Sequence, residues 1–206
     1  MTGLSAGRLS WRGEDYAWHG QGWPELVIET PRLRLRAPGA ADVDAFAAEL
    51  ADFDIVRMLA RVPWPYSRMD AVSFVTGARA DAEGRHGLHL VIEDGNGLAG
   101  LVGLSFSPVS LFAPAPELGY WIARSRWGHG IATEAGRGVL AFAFEALGVK
   151  AVRSGAFHDN PASLAVQAKL GFEVVGRSHV FCLARGAEVA HIDTMLTRGR
   201  FREVGA

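Results

Sequence analysis

Two glycines one residue apart, Gly128 and Gly130, mark the stretch of this 206-residue chain that is best suited to binding chemistry. They lie in the string YWIARSRWGHGIATE, between a strand-like segment at 118–123 and a helical pattern that begins near Ala132. Glycine lets the backbone turn sharply and lets a ligand approach it closely. The helix N-terminus behind the loop adds free N–H groups and the positive end of a dipole. The stretch therefore predicts an anion site suited to phosphate.

Two common phosphate-binding motifs do not fit this loop. A nucleotide-binding P-loop needs the pattern GxxxxGK[ST], which does not follow these glycines. A dinucleotide-binding fingerprint needs a third glycine three residues after the second, and the chain has Thr133 there. Glycine pairs also occur in ordinary tight turns, so the rest of the chain has to identify the ligand.

The composition indicates one globular domain without a strong overall field. Apolar residues make up 49% of the chain, charged residues 21%, and the net charge is −1. This charge does not draw the protein to nucleic acid or to a membrane surface. No apolar run reaches the length of a membrane span, and the N-terminus lacks the apolar core of a secretory signal. We therefore expect a cytoplasmic protein.

Cysteine and histidine spacing predicts no metal site. The single cysteine, Cys182, excludes an internal disulfide and suits a reducing compartment. It lies on a late predicted strand without an obvious partner, so we interpret it as a core thiol rather than a nucleophile. His129 is better explained as a solvated loop residue than as a base.

Hydrophobic periodicity predicts seven strands and four helices. The strands are expected at 26–36, 88–93, 98–106, 118–123, 149–157, 172–181 and 189–196. The helices are expected after Asp42, after the cap pair Ser67 and Asp70, from near Ala132 to Leu147, and at 161–170. The turn at 94–97 predicts a hairpin, and a proline-containing loop is expected at 108–116. The strand–helix–strand order makes strands 118–123 and 149–157 parallel.

Several stretches have two interpretations. Residues 1–24 are expected to be an irregular extension that packs some of its tryptophans on a domain at 25–206; the alternative is a lid or dimer contact, which leaves a homodimer open. The arginines of the first strand indicate a solvated strand face rather than a nucleic-acid stripe. The segment at 62–66 either walls a substrate site or forms a packed turn. In the helix after the glycine loop, Glu134, Arg137 and Glu145 are expected to form the polar stripe.

Three strings in order resemble the GCN5-related N-acetyltransferases, or GNAT family: ETPRLRLR, ELGYWIARSRWGHGIATEA and DNPASLAVQAKLGF. The family's loop pattern is Arg/Gln-x-x-Gly-x-Gly/Ala, and Gly130 and Ala132 fill its last two positions. Trp127 stands where the pattern has Arg or Gln, but WGHGIATEA closely resembles the subfamily that acetylates ribosomal-protein N-termini (RimJ/RimL-like). The resemblance covers roughly 27–198. It implies an α/β (α+β) single domain whose mixed, mostly antiparallel sheet of about seven strands has helices on both faces and two splayed parallel strands.

The resemblance implies acetyl-CoA as the co-substrate that donates the acetyl group. In that family the pantetheine arm pairs with the backbone of one splayed strand, and the pyrophosphate meets main-chain amides of the loop. The corresponding positions are Tyr120, Trp121, Ile122 and Ala123 for the arm, and Trp127, Gly128, His129, Gly130, Ile131, Ala132 and Thr133 for the pyrophosphate. Because these contacts come from the main chain, a tryptophan at position 127 need not abolish them.

Asn160 and Ser163 match the family's Asn-x-x-Ser, which lies close to the pantetheine and the thioester. The residues by themselves also allow a plain helix cap at Asn160 and a serine satisfied by its own backbone at Ser163. Many relatives carry in this helix a tyrosine that protonates the departing thiolate. The corresponding residue here is Gln167, which cannot do so, and Ser163 is left to hydrogen-bond the sulfur.

Glu117, at the start of the fourth predicted strand, is the first candidate for the base that takes a proton from the attacking amine. A glutamate buried beside an apolar strand would suit this work, whereas the alternative is a solvent-facing strand end. His158 and Asp159, where the next strand ends, are reserve candidates.

The resemblance thus implies an acetyl-CoA-dependent N-acetyltransferase in which the amine attacks the thioester directly in a ternary complex. The acceptor is expected to be a protein or peptide α-amine, with a small-molecule amine as the alternative, because fold does not decide the substrate. The rival from another class is a non-catalytic acyl-CoA-binding regulatory module, which Trp127 and Gln167 favour. Dinucleotide binding is disfavoured by the missing third glycine.

Overall fold

One sheet of ten strands organises the residues that the structure, a computed structural model, describes, namely 6–106 and 115–205. The strands are β1 (Gly7–Trp11), β2 (Glu14–His19), β3 (Val27–Glu29), β4 (Arg34–Arg36), β5 (Gly87–Asp94), β6 (Gly97–Ser105), β7 (Glu117–Ile122), β8 (Ala151–Phe157), β9 (Glu173–Cys182) and β10 (Ala187–Thr197). Their spatial order follows the chain except at one end, where β10 lies between β8 and β9. Within the described residues, neighbouring strands are antiparallel apart from β7 and β8.

Six α-helices cover the sheet in the described part of the chain. They are α1 (Val43–Glu49), α2 (Phe53–Val56), α3 (Arg68–Gly84), α4 (Ile131–Ala141), α5 (Pro161–Leu170) and α6 (Arg198–Gly205). The capping box of Ser67 and Asp70 at the start of α3 is confirmed. A turn of π-helix continues α4 over Phe142–Ala146, and the predicted end near Leu147 is correct. The mixed, mostly antiparallel sheet with helices on both faces is confirmed.

The sheet has ten strands rather than about seven for two reasons. The segment expected as one strand at 26–36 is a hairpin of β3 and β4, because Thr30 and Pro31 turn the chain. The Thr30 N–H donates to the Leu33 carbonyl at 2.9 Å, and Pro31 has no N–H to contribute to a ladder. The N-terminal segment adds β1 and β2.

The expectation of an irregular N-terminal segment is wrong, since β1 and β2 form an antiparallel hairpin that extends the sheet. Its tryptophans do pack on the core, as expected: Trp11 and Trp18 are buried, and so is Trp23 just beyond the hairpin. Arg12 in the hairpin turn donates from its side chain to the carbonyl of Val204 in α6 at 2.8 Å. The division into an extension at 1–24 and a domain at 25–206 stays a prediction. Residues 1–5, and most of the loop predicted at 108–116, lie outside the described residues.

The sheet separates two cores, and each strand sends alternate side chains to opposite faces. On the face that we call the back face, Leu118, Val152 and Leu196 pack with α4 in the larger core. On the front face, Trp121 packs with residues of α1 and α3, and Phe157 packs with Cys182 and Val189.

The parallel strands β7 and β8 separate almost as soon as they meet. Their ladder contains one residue pair, Glu117 with Arg153. The Ser154 hydroxyl adds one side-chain link, donating to the Leu118 carbonyl at 2.9 Å. Beyond this point β7 runs on to Ile122 and β8 to Phe157 without further pairing, which opens a gap between them. The expected splay is therefore present, and the glycine loop and α5 both begin at its open end.

Candidate functional site

The glycine loop has the backbone that an anion site requires. Gly128 and Gly130 adopt φ values of +79° and +77°, a left-handed conformation that glycine enters without strain. Gly130 is the N-cap of α4, and its carbonyl accepts the Glu134 N–H at 3.1 Å. The three preceding helical amides, at positions 131–133, therefore have no acceptor inside the helix. The loop presents exposed N–H groups at the positive end of the α4 dipole.

A buried carboxylate holds this loop to the β3–β4 turn. Glu134 is 5% exposed and accepts three hydrogen bonds: from the Thr30 hydroxyl at 2.6 Å, the Arg32 N–H at 2.8 Å and Arg32 Nε at 2.6 Å. Arg32 also donates through Nη1 to the His129 carbonyl at 3.1 Å. The predicted outward-facing position of Glu134 is thus wrong, because the β3–β4 turn reaches over the first turn of α4.

The arginines near the loop are held by carboxylates, so the loop's attraction for anions rests mainly on main-chain amides. Arg126 pairs with Asp94 at 2.7 Å. Arg124 pairs with Asp52 and Asp54 at the start of α2, and its guanidinium lies 5.0 Å from the centroid of the Trp127 ring. The Trp127 indole N–H donates to the Ile122 carbonyl at 2.8 Å, which fixes the residue at the end of β7.

The gap between β7 and β8 exposes main-chain groups that a ladder would otherwise pair. The Ala123 N–H donates to the Ala99 carbonyl of the β6 side, so by alternation Trp121 also bonds toward β6 whereas Tyr120 and Ile122 point toward β8. The Ile122 carbonyl already accepts the Trp127 indole N–H, so the groups that can pair with an extended ligand are the main chain of Tyr120 and the Ile122 N–H. Trp121 and Ala123, predicted to share this task, direct their main-chain groups away from the gap.

Gln167 provides a hydrogen-bond partner for the main chain of β8, on the other side of the gap. On β8 the His158 N–H donates to the Ala190 carbonyl, so by alternation the Gly155 carbonyl points toward β7, where no strand partner remains. Gln167 Nε2 donates to this carbonyl at 2.9 Å, and Gln167 Oε1 accepts the Thr194 hydroxyl at 2.7 Å. The buried amide thus replaces the missing ladder partner of the Gly155 carbonyl.

Ser163 lies at the back-face side of the gap, where its hydroxyl has two polar side-chain neighbours. The Tyr120 and Ser163 hydroxyl oxygens lie 2.9 Å apart, and Gln167 Nε2 donates to Ser163 Oγ at 3.3 Å. Burial raises the pKa of the Tyr120 phenol, and its hydrogen bond to Ser163 offsets part of that rise. The phenol is therefore a protonated group that can donate to Ser163. The sequence did not single out this hydroxyl, because only its backbone was expected to contribute.

Asn160 is a helix cap, as one of its two interpretations expected. Its side-chain oxygen accepts the Ser163 N–H at 3.1 Å at the start of α5. Pro161 occupies the first helical position, and Gly171 ends the helix with φ of +95°. The cap fixes Ser163 in the first turn of α5, and a contact of Asn160 with pantetheine stays a prediction.

The front face carries the candidates for a base. Glu117 lies there at the paired, closed end of the gap and is exposed, so the burial that would suit it to this work is absent. Asp159 accepts from both Arg185 and Arg57, and its hydrogen bond to Arg185 holds its pKa below the usual range. It is an anchor for two arginines rather than a proton acceptor near neutral pH. His158 is exposed, and its backbone N–H donates to the Ala190 carbonyl.

One front-face pair was not singled out from the sequence. On β10, His191 Nδ1 lies 2.8 Å from Asp193 Oδ1, and the ring of His191 covers Gly155 of β8. The alternation of His191 and Asp193 along one strand was the available signal, since residues two apart share a face. The position of this pair beside the gap depends on the order of strands in the sheet, which the sequence does not reveal.

The remaining predicted features have plain environments. Cys182 is buried and its thiol contacts the carbonyls of Arg57 and Leu59, in keeping with a core thiol. Trp64 in the 62–66 segment packs on Phe53 with ring centroids 5.1 Å apart, and both rings are partly exposed. No group of three or more potential metal ligands occurs among the described residues. Nor does that part of the chain contain a helix long and apolar enough to cross a membrane.

Comparison with known proteins identifies the family. The family described as "Acetyltransferase (GNAT) domain" matches residues 32–173. The uncharacterized N-acetyltransferase YoaA of Bacillus subtilis (strain 168) is 29% identical over 152 residues, which are 73% of this chain and 84% of that protein.

Solved structures share the fold at lower identity. Mycobacterium smegmatis RimJ, in complex with CoA-disulfide, has a TM-score of 0.72 at 22% identity over 94% of this chain and 87% of its own. The Microcin C7 self-immunity acetyltransferase MccE, in complex with acetyl-CoA and AMP, has a TM-score of 0.69 at 21% identity over 81% of this chain and 93% of its own. The family match covers more than half of the chain and includes the glycine loop, the gap and α5. The chain therefore belongs to the GNAT acetyltransferase family.

Proposed function

We propose that this protein transfers the acetyl group of acetyl-CoA to a primary amine by direct attack within a ternary complex. The observation that carries the proposal is the gap between β7 and β8, with an anion-binding loop at its open end and hydroxyl groups along its back-face side. The two sides of the gap give the donor and the acceptor separate approaches. The front face is left for the amine.

The donor site is supported by main-chain groups that have no partner inside the helix or the sheet ladder; of these, the Ile122 carbonyl is bonded to the Trp127 indole. The helical amides at 131–133 and the left-handed glycines suit a pyrophosphate, whose charge the α4 dipole also favours. Tyr120 and Ile122 turn their backbone toward the gap, where the amides of a pantetheine arm would find partners. The described residues thus fit acetyl-CoA through backbone geometry, which is why Trp127 and Gln167 do not count against it.

Ser163 and Tyr120 supply the proton that the departing thiolate needs. In this proposal Ser163 Oγ donates to the sulfur and the Tyr120 phenol donates to Ser163 Oγ. The two hydroxyl oxygens lie 2.9 Å apart, and the phenol also lies 3.2 Å from the Ser163 carbonyl. This pair replaces the helix tyrosine that many relatives carry, because a hydroxyl is still present at the same side of the gap. Asn160 positions Ser163 by capping α5.

The acceptor is an α-amine at the N-terminus of a protein or peptide, by resemblance of WGHGIATEA to the ribosomal-protein subfamily. An α-amine titrates near pH 7.7–8, so a fair share is neutral under cellular conditions and ready to attack. A small-molecule amine is the alternative acceptor. Glu117, predicted as the base, lies on the front face. A cytoplasmic location and assembly as a homodimer also remain predictions.

Mass spectrometry of reactions with acetyl-CoA tests the proposal. The panel should contain peptides with free N-terminal serine or alanine, the same peptides with blocked N-termini, lysine-containing peptides and small amines. The expected result is the mass gain of one acetyl group on free N-termini only, with release of free CoA. Tight acetyl-CoA binding without transfer to any amine would instead favour the non-catalytic acyl-CoA-binding module, which Gln167 and Trp127 first suggested.

A further inference from the structure

We propose that His191, oriented by Asp193, is the base that takes the proton from the attacking amine, an inference that rests on the proposed acetyl transfer. His191 lies on β10, next to β8 in the sheet, and its side chain is 19% exposed. Its Nδ1 lies 2.8 Å from Asp193 Oδ1 on the same face of the same strand. The pair stands on the front face, opposite the side on which Tyr120 and Ser163 meet.

The ring of His191 extends from β10 across β8 toward the gap. A Cβ built on Gly155 would lie 2.2 Å from Cε1 and 2.9 Å from Nε2 of this ring. Nδ1 faces Asp193 on the home strand, so Cε1 and Nε2 form the far end that reaches over Gly155. Gly155 has no side chain, which is the condition for this placement. Across the gap, Gly119 of β7 lies level with Gly155. The front face is open there as well, because a Cβ built on Gly119 would have no atom within 4 Å.

Gly155 connects this histidine to the donor side of the gap. Its carbonyl accepts from Gln167, and Gln167 in turn donates to Ser163 Oγ. His191 therefore covers from the front the same backbone residue that the Ser163 network holds from the back. If Ser163 holds the sulfur on the back-face side, the front face over Gly155 is left for an amine, which would then approach beside His191.

Asp193 sets the form of the imidazole. Asp193 Oδ1 accepts a hydrogen bond from the Ser178 hydroxyl at 2.9 Å. The same oxygen can accept a second hydrogen bond from His191 Nδ1 when that nitrogen carries the proton. The hydrogen bond made by one ring nitrogen decides which nitrogen carries the proton. A carboxylate cannot donate, so neutral His191 holds its proton on Nδ1 and keeps the lone pair of Nε2 free. A fixed lone pair at the rim of the gap is what a general base needs.

The position of His191 suits the base better than that of Glu117. Glu117 is level with Arg153, whereas the ring of His191 lies over Gly155, two residues further toward the open end. At about 3.3 Å per residue this is roughly 7 Å along the strands. The charged side chains of the front face nearest in register are Asp193 on β10 and Arg153 on β8, with Arg185 over the Phe157 ring. In the described residues only Asp193 bonds to the imidazole.

The step balances as follows. The neutral amine nitrogen attacks the thioester carbon, a C–N bond forms, and the nitrogen gives one proton to His191 Nε2. The C–S bond breaks, and the thiolate takes a proton from Ser163, which is refilled by Tyr120. The products are an amide and free CoA, and the imidazolium returns its proton through solvent to the phenolate.

NMR of the full chain labelled with 15N-histidine tests the geometry independently of turnover. Neutral His191 should show the Nδ1–H tautomer, and its signals should move when acetyl-CoA is added. Asp193→Asn should shift the ring toward the Nε2–H tautomer, because the carboxylate that holds the Nδ1 proton is removed. An Nε2–H tautomer in the wild type, or His191 signals that do not change when acetyl-CoA is added, would overturn the assignment of His191 as the base, whatever the acceptor is.

Kinetics with acetyl-CoA and a peptide bearing a free N-terminal alanine or serine completes the test. His191→Gln should lower kcat by roughly 10²–10⁴-fold, the usual range for general acid–base catalysis, with acetyl-CoA affinity unchanged. The loss should shrink as pH rises, because more amine arrives neutral. The matched control is His179→Gln, an exposed histidine on the back face of β9, which should keep full activity.

The outcomes separate the two proposals. Transfer by the wild type together with wild-type kcat in His191→Gln overturns the inference and leaves the acetyltransferase proposal standing. If Glu117→Gln lowers kcat by that amount while His191→Gln does not, Glu117 is the base. A wild type that acetylates no amine of the panel overturns the proposed function, and the inference falls with it.

Discussion

The hydroxyl oxygens of Tyr120 and Ser163 lie 2.9 Å apart across the back-face side of the gap between β7 and β8. Tyr120 comes from strand β7, and Ser163 from the first turn of the helix that Asn160 caps. Two residues that are 43 positions apart thus bring their hydroxyl groups together. In the proposed reaction this pair takes the place of the tyrosine that Gln167 replaces.

A double-mutant cycle tests that pair. Ser163→Ala removes the hydroxyl that we propose as the hydrogen-bond donor to the sulfur, so we expect kcat to fall by about 10²-fold, the low end of the range for acid–base catalysis. Tyr120→Phe should produce a loss of similar size in the wild type but little further loss in the Ser163→Ala background, because the phenol acts through Ser163. Steady-state kcat is measured beside the melting temperature. Fully additive losses, or wild-type kcat in Ser163→Ala at saturating acetyl-CoA, would rule out the relay.

Gly130→Asp tests the anion site at the glycine loop. The new side chain would begin 3.5 Å from Arg32 Nη2 and would add a negative charge at the loop, and L-residues are strained at φ of +77°. CoA affinity should fall at least tenfold, about 1.4 kcal/mol, in a calorimetric titration. Gly13→Asp is the matched control, because Gly13 has φ of +79° in the exposed β1–β2 turn. Equal CoA affinity in a folded Gly130→Asp protein would remove the loop from the site.

The Glu134 carboxylate should support both stability and donor binding. Glu134→Ala leaves Thr30 and Arg32 without their acceptor, which should cost roughly 1–3 kcal/mol, the range for a lost hydrogen bond to a charged group. CoA affinity should fall as well, because Arg32 also holds the His129 carbonyl.

Glu145→Ala is the comparison for this variant. Glu145 lies just past α4 and pairs with Arg198 and Arg202 nearer the solvent, so its loss should cost about 1 kcal/mol or less and leave CoA affinity unchanged. Denaturant unfolding and CoA titration of both variants decide the matter. Equal losses of stability and affinity would contradict the role given to Glu134.

The ion pairs of Asp159 should make the free energy of unfolding depend on pH in the acid range. Its pKa is lowered in the folded protein by Arg185 first and by Arg57 in addition. A lowered folded pKa means that the ion pairs contribute stability above the ordinary aspartate pKa, about 3.9, and lose it as pH falls through the folded pKa. Asp159→Asn should therefore be less stable than the wild type at pH 7, and the difference should vanish toward pH 3. Urea unfolding across this range would contradict the assignment if the difference stayed constant.

Local sequence determined much of the fold because the signals were short-range. The Ser67 and Asp70 capping box, the hairpin turn at 94–97 and the Asn160–Pro161–Gly171 punctuation of α5 each act over a few residues. The glycine loop was equally readable, since two left-handed glycines before a helix leave little choice of backbone. The resemblance to the GNAT family added the splay of β7 and β8, whereas the order of elements came from periodicity and turn signals.

Other elements were missed because their stabilisation is not local. The β1–β2 hairpin near the N-terminus and helix α6 near the C-terminus contact each other. One such contact is the hydrogen bond from the Arg12 side chain to the Val204 carbonyl. Helix α6 buries one large apolar side chain, Phe201, so no periodic pattern announces it. Glu134 was expected outside because a helix period cannot show that the β3–β4 turn covers it.

The sequence by itself determined where the glycine loop lies, which helix carries Ser163, and that no tyrosine occupies position 167. The tertiary structure decided what those facts mean. Only strand splay, which removes the partner of the Gly155 carbonyl, explains Gln167, and only the packing of α5 on β7 brings Tyr120 to Ser163. Only strand order, with β10 beside β8, carries the ring of His191 over Gly155. These are contacts between residues far apart in the chain, and spacing along a sequence holds no information about such distances until the sheet has formed.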